Sequence, residues 1–211
     1  DRSFLQGNST SLHGHGGAIA NRDGGRLRLS NSTVSSNESG ELPWGGAIAN
    51  GTSAGGDAGH LTLLFVTLAD NNGGGLFNAG HSEQHNNIIA GNYEDYGAAG
   101  QKLYDAGNNC VNQGTVAGFR NVIGMDGNCP RSGNTNVFNH EAFTRVLYPL
   151  ANNGGFAPTH ALRYWSFTLD QASPSVDCPA VDQRGAPRPV DGDGDGVARC
   201  DIGAFERGED D

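Results

Sequence analysis

Lysine is almost absent from this 211-residue sequence. Lys102 is the single one, so 12 of the 13 basic residues are arginine. Methionine occurs once, and charged residues make up only 17% of the chain. No run approaches the roughly 18 apolar residues of a membrane-spanning helix. A net charge of −10 argues against nucleic acid as a partner, because phosphate contacts dominate that affinity. Collagen would need glycine at every third position, and a disordered chain would lack the recurrent apolar runs present here. What the chain has instead is 34 glycines and 21 asparagines, both poor helix formers, which excludes a helical bundle. The length suits one sizeable domain. Charge is uneven: residues 191–211 hold eight acids against Arg199 and Arg207, which is −6 of the −10.

Repeats organise the rest. The hexapeptide Gly16-Gly17-Ala18-Ile19-Ala20-Asn21 returns unchanged as Gly45-Gly46-Ala47-Ile48-Ala49-Asn50, a period of 29. A degenerate copy, Gly73-Gly74-Gly75-Leu76-Phe77-Asn78, follows 28 residues later. Between copies an apolar residue precedes Asn by three positions, at Leu5/Asn8, Val34/Asn37, Leu68/Asn71 and Ile89/Asn92. Alternating segments such as Arg26-Leu27-Arg28-Leu29-Ser30 and Leu61-Thr62-Leu63 read as short strands. A unit of about three short strands cannot bury its own apolar face, but it can stack on copies of itself. The expectation is a right-handed parallel β-helix with about three strands per coil. Asn8, Asn37, Asn71 and Asn92 would form a side-chain amide ladder between coils. Coils are expected over residues 1–147, with the repeats near 1–92 and disulfide-containing coils at 93–147. A C-terminal cap is expected over 148–211.

The GGAI run followed by the apolar-x-x-Asn pattern resembles the repeats of chlamydial polymorphic outer-membrane proteins and of many secreted bacterial β-helix proteins. Further on, Asn87-Ile88-Ile89-Ala90-Gly91-Asn92, Cys110, Asn121-Val122-Ile123-Gly124 and Cys129 resemble the last coils of the choice-of-anchor Q domain family. Pro149-Leu150-Ala151-Asn152-Asn153-Gly154-Gly155 with Pro158-Thr159-His160-Ala161-Leu162 is similar to that family's end module. So are Asp182-Gln183-Arg184-Gly185 and Asp201-Ile202-Gly203-Ala204-Phe205-Glu206. The chain departs from the family where residues 165–170 precede Ala172-Ser173-Pro174-Ser175-Val176-Asp177, with extra residues between. The resemblance implies a secreted or surface-anchored protein and implies no reaction.

Four cysteines in a chain that looks secreted suggest two disulfides. Spacing favours Cys110 with Cys129 and Cys178 with Cys200, 19 and 22 residues apart. Asp191-Gly192-Asp193-Gly194-Asp195-Gly196 matches the opening half of an EF-hand calcium loop, with glycine at the sixth place for the tight turn. The twelfth place holds Ile202 in place of the bidentate glutamate, and Asp201 stands one residue earlier. The loop looks more like those of dockerin or thrombospondin repeats. The expected structural Ca²⁺ ligands are Asp191, Asp193, Asp195, the carbonyl of Val197, and Asp201.

A catalytic reading has less behind it. Pectin hydrolases of this architecture use two or three neighbouring carboxylates, whereas Asp23, Asp57 and Asp70 fall in different phases of the coil. His13-Gly14-His15 finds no third ligand at Leu42 or Trp44 in the next coil. His60, His81, His85, His140 and His160 show no ligand spacing, and His160 reads as structural. Sequons occur at Asn8, Asn31, Asn37 and Asn50. The chain starts in mid-repeat, so Ser3, Phe4, Leu5 and Gln6 would form an open edge. Either upstream sequence or another chain would complete it. The expected function is a non-catalytic extracellular or cell-surface β-helix. It would serve adhesion or head-to-tail assembly into a homo-oligomer or filament, with a surface glycan or protein as the ligand. The alternative is a polysaccharide lyase or hydrolase that uses calcium structurally.

Overall fold

A computed structural model describes the chain except residues 12–13, 41–44, 53–58, 95–102, 105–108, 126, 130–134, 137–141 and 209–210. The first coil carries β1 (Phe4–Gln6), β2 (Ile19–Asn21) and β3 (Arg26–Ser30). The second carries β4 (Thr33–Ser35), β5 (Ile48–Asn50) and β6 (His60–Leu64), and the third β7 (Thr67–Ala69), β8 (Leu76–Asn78) and β9 (His81–His85). A fourth begins with β10 (Ile88–Ala90). It is interrupted by a short antiparallel pair, β11 (Tyr93–Glu94) and β12 (Leu103–Tyr104), and resumes with β13 (Cys110–Asn112) and β14 (Thr115–Phe119). Then come β15 (Val122–Ile123), β16 (Thr135–Asn136) and the helix α1 (Ala142–Val146). Apart from β11 and β12, each strand pairs in parallel with its counterpart one coil away, which builds three sheets: β1-β4-β7-β10-β15-β16, β2-β5-β8-β13 and β3-β6-β9-β14. The fold is the expected parallel β-helix.

The register follows side-chain alternation. Leu5, Val34, Leu68, Ile89 and Ile123 align across the first sheet, and Ile19, Ile48, Leu76 and Cys110 across the second. These residues meet Leu29, Leu61 and Leu63 of the third sheet in one interior core. The repeated glycine pair serves two needs at one corner. Gly45 has φ +72°, and a Cβ on Gly46 would collide with the carbonyl oxygens of Asn72 and Gly74 in the next coil. At the corner after the third sheet a left-handed residue recurs once per coil, at Asn31, Phe65, Asn86 and Arg120.

Asparagine ladders hold the coils in step. Asn8, Asn37, Asn71 and Asn92 each pass an Nδ2 hydrogen bond to the next Oδ1, ending at Asn109, at 2.9, 3.0, 2.8 and 3.0 Å. The final asparagines of the repeated hexapeptides form a second ladder, Asn21–Asn50–Asn78–Asn112, at 2.7 Å per step. A third joins Asn87 to Asn121 at 2.8 Å.

The C-terminal module lies along the flank of the stack, over the outer face of the first sheet. Thr33 Oγ1 donates to Gln183 Oε1 at 2.6 Å, the Ala204 amide donates to Thr67 Oγ1 at 3.1 Å, and the Gly203 amide reaches the Asn86 carbonyl at 2.9 Å. Ala69, Ile88, Ala90 and Val122 pack there against Leu162, Leu169, Ile202 and Phe205 in a second core. Phe143, Val146 and Leu147 join that core, so the cover starts a few residues before Tyr148. Cys110 bonds Cys129 and Cys178 bonds Cys200, with Cα–Cα distances of 5.6 and 6.1 Å. Cys110 takes the register position of Ile19, Ile48 and Leu76, so the first disulfide replaces an aliphatic layer.

Candidate functional site

The acidic loop is built from its own backbone. Asp191 accepts the amides of Gly194 and Gly196 at 2.7 and 2.8 Å, and Gly194 and Gly196 turn with φ +78° and +86°. Buried Asp170 reaches into the loop from the strand-free module. Its carboxylate accepts amides from Gly192, Asp193 and Arg199 at 2.9, 3.0 and 2.9 Å. One carboxylate oxygen each from Asp170, Asp191 and Asp193 lies within 4.8 Å of the others. Oxygen-only donors at that spacing suit a hard cation. Asp170 lies outside the aspartate-glycine run, so spacing gave no signal for it.

The other expected ligands stand apart from this trio. Asp195 bonds Arg199 at 3.1 Å, which together with the Val197 amide holds its carboxyl below the usual range. Val197 is exposed, and its amide donates to Asp195 Oδ1 at 2.7 Å. Asp201 is buried, and its carboxylate accepts the Asp170 and Arg207 amides at 2.8 and 2.7 Å. Burial, then the neighbouring Glu206 charge, pushes Asp201 up to about 8. Beside the loop, a cavity of about 720 Å³ opens between Arg120, Ser173, Val176, Arg199 and the Cys178–Cys200 bond.

The end-module motifs close an ionic network beneath the cover. Arg188 Nε donates to Glu206 Oε2 at 2.8 Å, with both side chains at most 1% exposed. Its Nη atoms reach Asn31 Oδ1 and the Gly203 and Phe205 carbonyls at 3.1, 2.8 and 3.2 Å. Arg184 pairs with Asp182 at 2.8 Å and stacks over Phe205. A buried charge set bonded to carbonyls and to a coil corner fastens the cover to the coils.

The outer face of the third sheet is the second candidate. Register puts Arg26, His60, His81 and Thr115 in one column, and Arg28, Thr62, Glu83 and Ala117 in the next. The His60 and His81 rings stack with centroids 5.1 Å apart and planes 24° from parallel. His85 holds Glu83 at 3.2 Å. A groove of about 410 Å³ runs over these rows. The column stayed hidden in the sequence because its members are 34, 21 and 34 residues apart, unlike the repeat period of 29.

His13, His140, Asp57, Leu42 and Trp44 lie outside the described residues. Asp70 Oδ2 accepts the Ser36 hydroxyl at 3.2 Å. Of the four sequons, Asn31, Asn37 and Asn50 are buried with their amides engaged, while Asn8 is exposed. The two disulfides fit an oxidising, extracellular-type compartment. Among the described residues, no helix is long and apolar enough to cross a membrane. No family model, curated protein or solved structure matches this chain.

Proposed function

We propose that this chain is a secreted, non-catalytic β-helix that acts by adhesion or by head-to-tail self-assembly at a bacterial surface. The supporting observation is the register of three parallel sheets, in which each coil pairs with the next in one repeated geometry. Pairing of the same kind between copies is heterologous and repeats. The resemblance of the repeats and end motifs to secreted β-helix families supports the location. The test is electron microscopy and size-exclusion chromatography of the protein with its natural N-terminus. Oligomers that weaken in Leu5→Lys support the reading, and a monomer at every concentration overturns it.

The same reading includes one structural Ca²⁺ at the acidic loop, supported by the Asp170, Asp191 and Asp193 oxygens. Bound metal stabilises the folded chain by mass action. Chelation is therefore expected to lower the melting temperature of the wild type and to leave Asp193→Ala unmoved. Unchanged wild-type melting with no metal detected removes calcium from the account.

A carbohydrate-active β-helix is the second reading, favoured by the His60, His81 and Glu83 side chains on one open groove. Unsaturated products or new reducing ends from a panel of acidic polysaccharides would put it first.

A further inference from the structure

We propose that the outer face of β3, β6, β9 and β14 binds an acidic linear polysaccharide laid along the solenoid axis. The proposal deepens the carbohydrate reading by naming the ligand class, and it requires binding without requiring turnover.

The three sheets differ in what covers them. The C-terminal module lies over the first, and β5 and β8 of the second are fully buried. On the third, Arg26, Arg28, His60, His81, Glu83 and Thr115 remain exposed. Among the described residues neither arginine has a carboxylate partner, whereas Glu83 is engaged by His85. The face is therefore locally cationic on a molecule of net charge −10. That contrast favours an anion on this face.

The row also runs along the solenoid axis. Arg26, His60, His81 and Thr115 occupy successive strands at a spacing of about 4.8 Å, and the groove of about 410 Å³ follows them. Stacking of His60 on His81, with His81 Nδ1 bonded to Thr115 Oγ1, fixes the row before any ligand arrives. Such a row, cationic at β3 and bearing imidazoles and a hydroxyl beyond it, matches an acidic polymer that also offers hydroxyls. The guanidinium groups take the carboxylates or sulfates, and the imidazole and threonine groups exchange hydrogen bonds with hydroxyls.

Other polymers fit less well. A peptide strand binds by main-chain pairing, which a sheet edge offers and a sheet face does not. Nucleic acid would bring one phosphate charge per roughly 1.7 Å of duplex into the field of an acidic protein, against only two arginines. Carboxylate and sulfate glycans share the required chemistry.

Calorimetry with polygalacturonate and with chondroitin sulfate, and with fully methyl-esterified polygalacturonate as the neutral control, tests this on the full chain. At least one acidic polymer is expected to bind, more weakly as salt rises, with the ester not binding. Arg26→Gln combined with His81→Gln is expected to weaken binding about tenfold or more, as the loss of charge-assisted hydrogen bonds predicts. Both residues are exposed, so an unchanged melting temperature checks the fold. No binding to either acidic polymer at low salt, wild-type affinity in the double variant, or equal affinity for the ester would each overturn the proposal. Binding without product supports it while defeating the enzyme reading. Turnover that is unaffected by the double variant overturns it while leaving the enzyme reading in place.

Discussion

At the residue scale, the module is fixed to the coils by a few buried polar side chains whose charge states are constrained. His160 bridges the cover and the first sheet. Its Nδ1–H donates to the Tyr148 carbonyl at 2.9 Å, which leaves Nε2 to accept the Ser35 hydroxyl at 2.9 Å. Burial, only partly opposed by the Tyr148 bond and the Asp70 charge, holds this imidazole below its ordinary range. The unfolded chain therefore takes up the proton first as pH falls below about 6.5. The His160 contribution to stability is complete above that pH and is lost progressively below it. Denaturant melts at pH 8 and pH 5 should show a smaller loss for His160→Gln than for wild type. Arg188 makes a second prediction. Truncating it to alanine would leave Glu206 buried without its cation, at a cost of about 3–5 kcal/mol in chemical denaturation.

At the element scale, the interior asparagines act as structure, each tying three strands. Asn71 Nδ2 donates to the carbonyls of Val34 and Ala69 and to Asn92 Oδ1, while its Oδ1 accepts the Asn37 amide and side chain. Removing it strands several buried groups at about 1–3 kcal/mol each. Asn71→Ala should therefore destabilise far more than Asn8→Ala, whose residue sits exposed at the ladder's end, and equilibrium unfolding of the pair measures the difference. β9 makes the complementary point. His81-Ser82-Glu83-Gln84-His85 has no apolar alternation, yet it forms a five-residue strand because β6 and β14 pair with it on both sides. Gln84 Nε2 then donates to the Ser82 hydroxyl at 2.9 Å inside the coil.

At the scale of the whole molecule, a solenoid is joined to a cover whose regular secondary structure among the described residues is limited to isolated bridges and α1. The described residues of 148–211 contain no β-strand, so disulfide, charge network and apolar contacts with the first sheet hold them. Closing the 22-residue separation between Cys178 and Cys200 contributes about 3 kcal/mol in the chain-entropy account. Replacing both by serine should lower stability by about that amount. It should also expose the Gly203 and Ala204 amides to hydrogen exchange before the amides of β4, β7 and β10. Uniform loss of protection would contradict a cover that loosens on its own.

The sequence by itself determined the β-helix, because a repeat needs only local rules. Gly45-Gly46 sets a corner, one apolar residue in each strand fills the interior, and an asparagine three places on meets its copy one coil above. It also determined which cysteines lie close in the chain. Tertiary structure decided what crosses coils of unequal length. The column of Arg26, His60, His81 and Thr115 follows no fixed spacing, since only strand pairing aligns its members. Asp170 joined Asp191 and Asp193 because the cover folds back on itself, bringing together groups more than 20 residues apart. The first sheet's outer residues Thr33, Ser35 and Thr67 look like solvent-facing strand positions in the sequence. They are buried because the module descends along that flank, and nothing local to a strand records which of its faces another segment will cover.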